Sequence, residues 1–513
     1  MSTDSLASNI VDFSTHKVKG FEQPNIVKEA NAVQDEVILE CLDSGEAGDA
    51  ILFAHLYYNK LIYDPLNGAW YAWRNGRWER EHNARQLVLT ELPVVYRGAA
   101  DRLRGSDPRG SDLQKALALT RKAKSLCNLI RANHVITLAQ PLLTIGGEWD
   151  ANPWLLGVNN GVIDLQTGDF RPYRPEDYIR TIAPVDWLGI DTPAPLWESF
   201  LQEIFSDEPD REEFILFLRR LLGYGITGDT KGHYCPIFLG SGRNGKGIML
   251  RTINRALGAG LADTVSRDVI MAPGRGRSQG AAQSYLMKLR GKRLAWVVES
   301  EEGGRINAET FKAVTGGDNI SAREQYEKEG ESFRPSHMLI LVTNYWPGIL
   351  HGDLASWDRV FPIYFSRRYV ENPSRRNEYP QDTTLEDRLQ SELSGILAWL
   401  VRGSVDYWQE RGLNTPDCVT LKKEEYQRQT DTAYLFMEEC LDFDESLRVK
   451  AALLFQAYLK WCELTKRKAD LNETTFGKRI TAHLVEMSGH TADEVKKRQG
   501  RGVFYLGVGL RIG

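Results

Sequence analysis

The pattern of apolar and polar positions changes character along the chain. From about residue 45 to 185, helical periods alternate with short aromatic runs. AWYAWRNGRWERE sets Trp70, Trp73 and Trp78 around an Asn75-Gly76 turn. NNGVIDLQTGDFRPYRP places apolar and aromatic positions between Asn159-Asn160-Gly161 and Gly168-Asp169. Both read as hairpins, and their large side chains are expected in a small core rather than as platforms for stacked bases. Residues 197–224 carry a helical period, and an apolar strand is predicted over 234–239. A glycine loop, a helix and strands at LAWVV and MLILVT follow, the element order of an α/β parallel sheet. Beyond Leu385 helices return through LQSELSGILAWLVRGSVDYWQE and TAYLFMEECLDF. Helices near 453–461 and 476–487 and a basic strand pair near 495–510 predict a terminal winged-helix-like module.

A chain of 513 residues is too long for one core, and its 42% hydrophobic and 26% charged residues are those of ordinary globular protein. No apolar stretch is long enough to span a membrane, and MSTDSLASNIVDF lacks the basic start and apolar core of a signal peptide, so a cytoplasmic protein is expected. Six scattered cysteines without a CxxC pair argue against a zinc ribbon or a disulfide framework, and they read as buried, reduced thiols. The net charge of −5 decides little, because positive charge confined to one surface can bind nucleic acid on a chain that is acidic elsewhere. Two basic clusters are more informative: residues 97–124, with eight Lys/Arg against three Asp, and Lys496, Lys497, Arg498 and Arg501. A solvated face is the alternative for each.

Gly240-Ser241-Gly242-Arg243-Asn244-Gly245-Lys246-Gly247 follows a predicted strand and opens a helix, the context a phosphate-binding loop requires. Glycines let backbone N–H groups converge on phosphate, the helix start adds its dipole, and Lys246 would reach the outer phosphate oxygens. A tight strand-to-helix turn is the competing account. Gly247 stands where Ser or Thr normally sets a hydroxyl on Mg²⁺, which leaves water to replace it or turnover to be weak. The run 294–298 reads as a buried strand ending in acids, where an α/β site holds metal and polarises water. Glu299 is assigned to the magnesium shell and Glu301 to activating water, against a solvated acidic turn. A second strand ends at Asn344, whose amide could hold the attacking water. Arg359 precedes a further short strand and is a candidate for donation across a subunit boundary, with a surface salt bridge as the alternative.

GSGRNGKG, LAWVVESEEG, FKAVTGGDNISAR, LVTN and SWDRVFPIYF, in this order, resemble the superfamily 3 helicases, in particular the phage, plasmid and poxvirus primase-helicase family. NPWLLGVNNGVIDLQTGDFRPYRP and LRRLLGYGITGD upstream and LLFQAYLKWCELTKRKADLNETTFGKRI downstream extend the likeness. The resemblance implies an AAA+-like P-loop ATPase core that uses ATP and Mg²⁺, a homo-hexameric ring, and 3′ to 5′ movement on single-stranded or forked DNA during replication of a phage, plasmid or other mobile element. The segment after TGGD would be a hairpin gripping DNA through Arg323, Tyr326 and Lys328, with Lys496, Lys497 and Arg498 adding a terminal DNA contact; a charged turn is the alternative for the first three. Too little chain precedes the recognisable domain for a primase, so a separate primase or polymerase is expected. The implied organisation is a flexible tail over 1–45, an α+β collar or docking domain over 46–230, the ATPase core over 231–370, and a helical and winged-helix-like region over 371–513. An origin-binding initiator, a DNA-packaging ATPase and a non-catalytic nucleotide-gated scaffold remain open.

Overall fold

The computed structural model describes residues 33–513 apart from 75, 107–109, 272–283, 300–305, 324–329, 349–353, 466, 468, 470, 500–501 and 512–513. The chain forms two compact units, one of residues up to 74 with 79–146, the other of 75–78 with 147–513. Among the described residues no helix is long and apolar enough to cross a membrane.

In the first unit, helices Asp35–Asp43 and Gly45–Leu56 lead into strands Leu61–Asp64 and Ala69–Arg74, paired antiparallel with Leu61 opposite Ala72, and four further helices follow. Helix Asp35–Asp43 falls within the segment expected as a flexible tail; it is ordered because Ile38 and Cys41 on one face are almost completely buried. The core also encloses a charge. The Asp49 carboxylate has no solvent exposure and accepts from the Tyr96 hydroxyl at 2.7 Å while pairing with Lys122 at 3.2 Å and Arg131 at 2.8 Å. Three partners are what a fully desolvated carboxylate requires.

The second unit opens with the expected hairpin, strands Leu155–Val158 and Gly161–Asp164 joined across Asn159-Asn160. The predicted 197–224 helix is two helices, Pro195–Ile204 and α1, Arg211–Gly225, separated by a break that contains Pro209. The central sheet follows: β1 (Cys235–Leu239), α2 (Lys246–Leu257), β2 (Ala262–Val265), β3 (Leu294–Glu299), α3 (Ala308–Thr315), β4 (Met338–Thr343), α4 (Leu354–Arg359) and β5 (Val360–Tyr364). All five strands are parallel, in the order β5-β1-β4-β3-β2. Alternation along each strand assigns its two faces. Leu294, Trp296, Met338, Ile340 and Val342 pack with Met249, Ile253 and Leu257 of α2. Ala295, Val297, Leu339 and Leu341 pack with Phe311 and Val314 of α3 and Trp357 of α4. Burial on both sides is why these strands read as unbroken apolar runs.

α5 (Leu385–Leu389) and α6 (Leu393–Glu410) return to the α2 face. The expected boundary near residue 230 cuts through a shared core, since Trp197, Phe217 and Leu221 lie in the same cluster as Phe238, Met249 and Ile396. The end of the chain has its own core, formed by β6 (Leu441–Lys450), α7 (Ala451–Leu464), α8 (Glu473–Ser488), β7 (Lys496–Gln499) and β8 (Gly502–Leu510), with an antiparallel sheet ordered β6-β8-β7. The reading of all six cysteines as buried is corrected: Cys41, Cys235 and Cys462 are buried, Cys127 is exposed, and Cys418 and Cys440 lie between.

Candidate nucleotide site

β1 and β4 are neighbours, and the helices that follow them, α2 and α4, cover opposite faces of the sheet. Between such strands the chain departs in both directions and leaves a crevice beyond their carboxyl ends. Gly240 to Gly247 bridges β1 and α2 there. The loop has left-handed backbone at Gly242 (φ 86°), Arg243 (52°) and Gly245 (91°), which the two glycines adopt without strain. Gly240 is required for a different reason: a Cβ there would lie 2.6 Å from the Phe365 carbonyl oxygen and 2.2 Å from the Asn244 amide. The Asn244 amide donates to Phe365 O at 3.4 Å, and Tyr369 N donates to Arg243 O at 2.6 Å, so the strand end after β5 braces the loop.

Lys246 begins α2 and is 5% exposed. Its ammonium donates to the carbonyls of Gly240, at 2.5 Å, and Thr343, at 3.3 Å, and no carboxylate among the described residues pairs with it. Burial lowers its pKa to about 8. The loop closes one side of a cavity of about 670 Å³. Gly242 through Gly247 line it, together with an apolar wall of Leu196, Phe200 and Trp296 and a rim bearing Tyr369, Leu385 and Arg388. A polar, amide-rich end beside an apolar wall suits a phosphorylated ligand with a flat, weakly polar part.

The other expected residues divide. Asn344 follows β4, is exposed and lines the cavity. Glu299 does not line it. On β3, Trp296 and Val298 face the cavity side, so alternation turns Glu299 toward the α3 face. There it is 4% exposed and pairs with Arg267 at 3.3 Å. It still lies level with the site, since Glu299 pairs in register with Thr343, and Thr343 with Leu239. Glu301 lies outside the described residues. Among those described, no group of three or more His, Cys, Asp or Glu is arranged to hold a metal ion.

Arg359 ends α4, and the next residue, Val360, pairs with Cys235 at the start of β1. It therefore stands at the opposite end of the sheet from the loop, roughly 13 Å along a strand at ~3.3 Å per residue. Its Nη1 donates to Ala355 O, its Nε is buried without a partner, and no salt bridge to it forms among the described residues.

Strands Ile320–Ala322 and Glu331–Phe333 form the hairpin expected after TGGD, with Ile320 opposite Phe333 and Arg323 exposed beyond the first strand. Tyr326 and Lys328 lie outside the described residues. The terminal basic trio is split by the pleat. Lys497 stands opposite Phe504, which also faces Lys450, while Arg448 lies over the Phe504 ring at 5.9 Å. Lys496 turns the other way, over Tyr505 at 5.4 Å, on the side that packs against the helices. Arg498, two residues on, shares that side and is exposed.

Residues that the motif reading passed over include Arg251, Glu386 and Arg267. Arg251 was accessible from its i+4 spacing to Gly247 on one helix. Glu386 and Arg267 carry no local signal.

Two family models match this chain: "D5 N terminal like" over residues 50–206 and "Poxvirus D5 protein-like" over 428–505. Among curated relatives, "Putative helicase L207/L206" of Acanthamoeba polyphaga mimivirus is 27% identical over 436 residues, 79% of this chain and 44% of its own length. "Putative helicase 121R" of Invertebrate iridescent virus 3 is 29% identical over 56% of this chain and 32% of its own. "Putative primase C962R" of African swine fever virus (isolate Warthog/Namibia/Wart80/1980) is 22% identical over 61% and 33%. The chain thus spans less than half the length of these relatives. A solved structure, "The apo structure of NrS-1 C terminal region (305-718)", aligns with 90% of this chain and 99% of that one at 12% identity and a TM-score of 0.43. The two matched segments precede and follow the parallel strands in sequence, and the relatives named above are viral proteins called helicases and primases.

Proposed function

We propose that this chain is the ATP-driven motor of a DNA-replication helicase of superfamily 3 type, working as a ring on single-stranded or forked DNA. The observation that carries this reading is the Gly240–Gly247 loop at the sheet's switch point, with Lys246 buried at its base and Asn344 on the neighbouring strand end facing the same cavity. In this reading the loop amides and Lys246 bind the phosphate chain, and the Asn344 amide orients the attacking water. Arg359 is too far from its own loop to act there, and its lack of a carboxylate partner among the described residues suits a guanidinium given to the next subunit's site. Arg323 and the open basic face of the terminal sheet are the proposed DNA contacts. Movement in the 3′ to 5′ direction, a hexameric ring and a separate primase rest on the family resemblance.

Unwinding of a forked duplex with a 3′ tail against one with a 5′ tail tests the proposal. Strand separation from the 3′ tail, lost in Lys246→Ala, is expected; ATP hydrolysis without strand separation from either tail would sink it. Gly247 and the Glu299–Arg267 pair favour one second reading, a nucleotide-gated scaffold with little turnover. That reading expects ATP binding without DNA-stimulated hydrolysis.

A further inference from the structure

Gly247 stands where a hydroxyl would recruit magnesium. Something else takes the space. A Cβ built on Gly247 would lie 2.8 Å from Nη1 of Arg251, closer than real Cβ contacts come. Arg251 is four residues on, one turn up the same face of α2, and a helical side chain leans back toward the amino terminus. Its guanidinium is held from the far side: Nε and Nη2 donate to the two oxygens of Glu386 at 3.0 and 2.8 Å, a two-point clamp that sets both position and plane. Arg255 Nη2 approaches the same carboxylate at 3.0 Å and helps fix it. The clamp leaves Nη1 without a hydrogen-bond partner among the described residues, over the first turn of α2, whose N–H groups are free to meet an anion. Gly247, Arg251 and Lys246 all line the one cavity, while Glu203 and Asp382 are the carboxylates on its rim.

We propose that Arg251 is a phosphate-binding residue of this site: admitted by the glycine at 247 and aimed by Glu386, its guanidinium supplies the positive charge that a hydroxyl-held metal ion would otherwise bring. The proposal rests on the nucleotide reading above and deepens it: nucleotide binding here depends on arginine more than on magnesium. A side chain at 247 requires the clamped guanidinium to shift. The glycine is thus a complement to Arg251 rather than the simple loss of a ligand.

The test is calorimetric binding of ATP and of AMP to the full chain, in excess magnesium and in EDTA. In the unsubstituted chain, ATP affinity is expected to differ by less than about threefold between the two conditions. Arg251→Ala is expected to weaken ATP by about tenfold in EDTA, the scale of one lost charge-assisted hydrogen bond, by less in magnesium, and to leave AMP unchanged. Gly247→Ser with Arg251→Ala should restore a magnesium requirement. Arg251→Lys, which keeps charge but cannot be clamped at two points, should fall between and serves if the alanine variant does not fold. Equal ATP affinity of the Arg251 variants and the unsubstituted chain in EDTA, with Lys246→Ala still losing ATP, would overturn the proposal and spare the site. Undiminished ATP binding by Lys246→Ala would remove the nucleotide reading and this inference with it.

Discussion

At the scale of residues, Lys246 couples the site to pH. Its ammonium meets two carbonyl oxygens and no carboxylate among the described residues, and burial brings its pKa from 10.5 to about 8. Between those values the folded chain binds fewer protons than the unfolded one, so stability rises with pH across that window; below about 8 both states are charged and the cost of burial is constant. A phosphate chain reverses the preference, because it stabilises the charged form. ATP affinity should therefore fall as pH rises through about 8, and Lys246→Arg, protonated throughout, should hold it flat when binding is titrated from pH 7 to 9.5. A fall as steep in the arginine variant would assign the pH effect elsewhere. Identity at such positions was legible in the sequence where a motif set it, as for Gly240–Gly247 and Asn344. Direction was not: Glu299 and Val298 are adjacent acid and apolar letters, and only the register of β3 shows that Val298 faces the cavity and Glu299 the other side. The same alternation separates Lys497 from Lys496 and Arg498.

At the scale of elements, α1 and α6 cross with almost no side chain between them. A Cβ on Gly223 would lie 2.2 Å from Ser404 N, and one on Gly403 would lie 2.0 Å from Arg219 O. Arg219 also pairs with Asp406 at 2.6 Å across the crossing. In an exposed helix, glycine to alanine stabilises by roughly 1 kcal/mol. Here both contacts are with backbone that cannot turn away, so Gly223→Ala and Gly403→Ala are each expected to destabilise by about 3 kcal/mol or more, read from the urea midpoint at constant slope. A gain in stability from either would mean that the helices are not in backbone contact. The helices themselves follow from apolar periodicity, but the closeness of their crossing depends on residues 180 positions apart and has no local trace.

At the scale of the molecule, the sheet separates two parts of one proposed reaction. The phosphate loop lies at the carboxyl ends of the strands and Arg359 at the amino end of β5. One chain cannot bring them together, whereas a head-to-tail ring can. Arg359→Ala should therefore abolish hydrolysis as fully as Lys246→Ala, and mixtures of the two variants should regain part of it, since some interfaces then join an intact loop to an intact arginine. Mixtures no more active than either variant alone would leave Arg359 without a role across subunits.

The succession of most core strands along the chain, the glycine loop and the terminal helix-and-hairpin module were legible in the one-dimensional pattern, because each rests on local physics: burial on both strand faces, backbone at positive φ, and the period of an amphipathic helix. Folding in three dimensions settled the matters that depend on distant partners. It joined 147–230 to the core of the parallel sheet, ordered a helix in the expected tail, turned Glu299 to Arg267, and set the Arg251 guanidinium against Gly247 under the hold of Glu386. Those outcomes follow from which faces are covered and which charges meet a partner once the chain is compact, and neither quantity is defined until distant segments have packed.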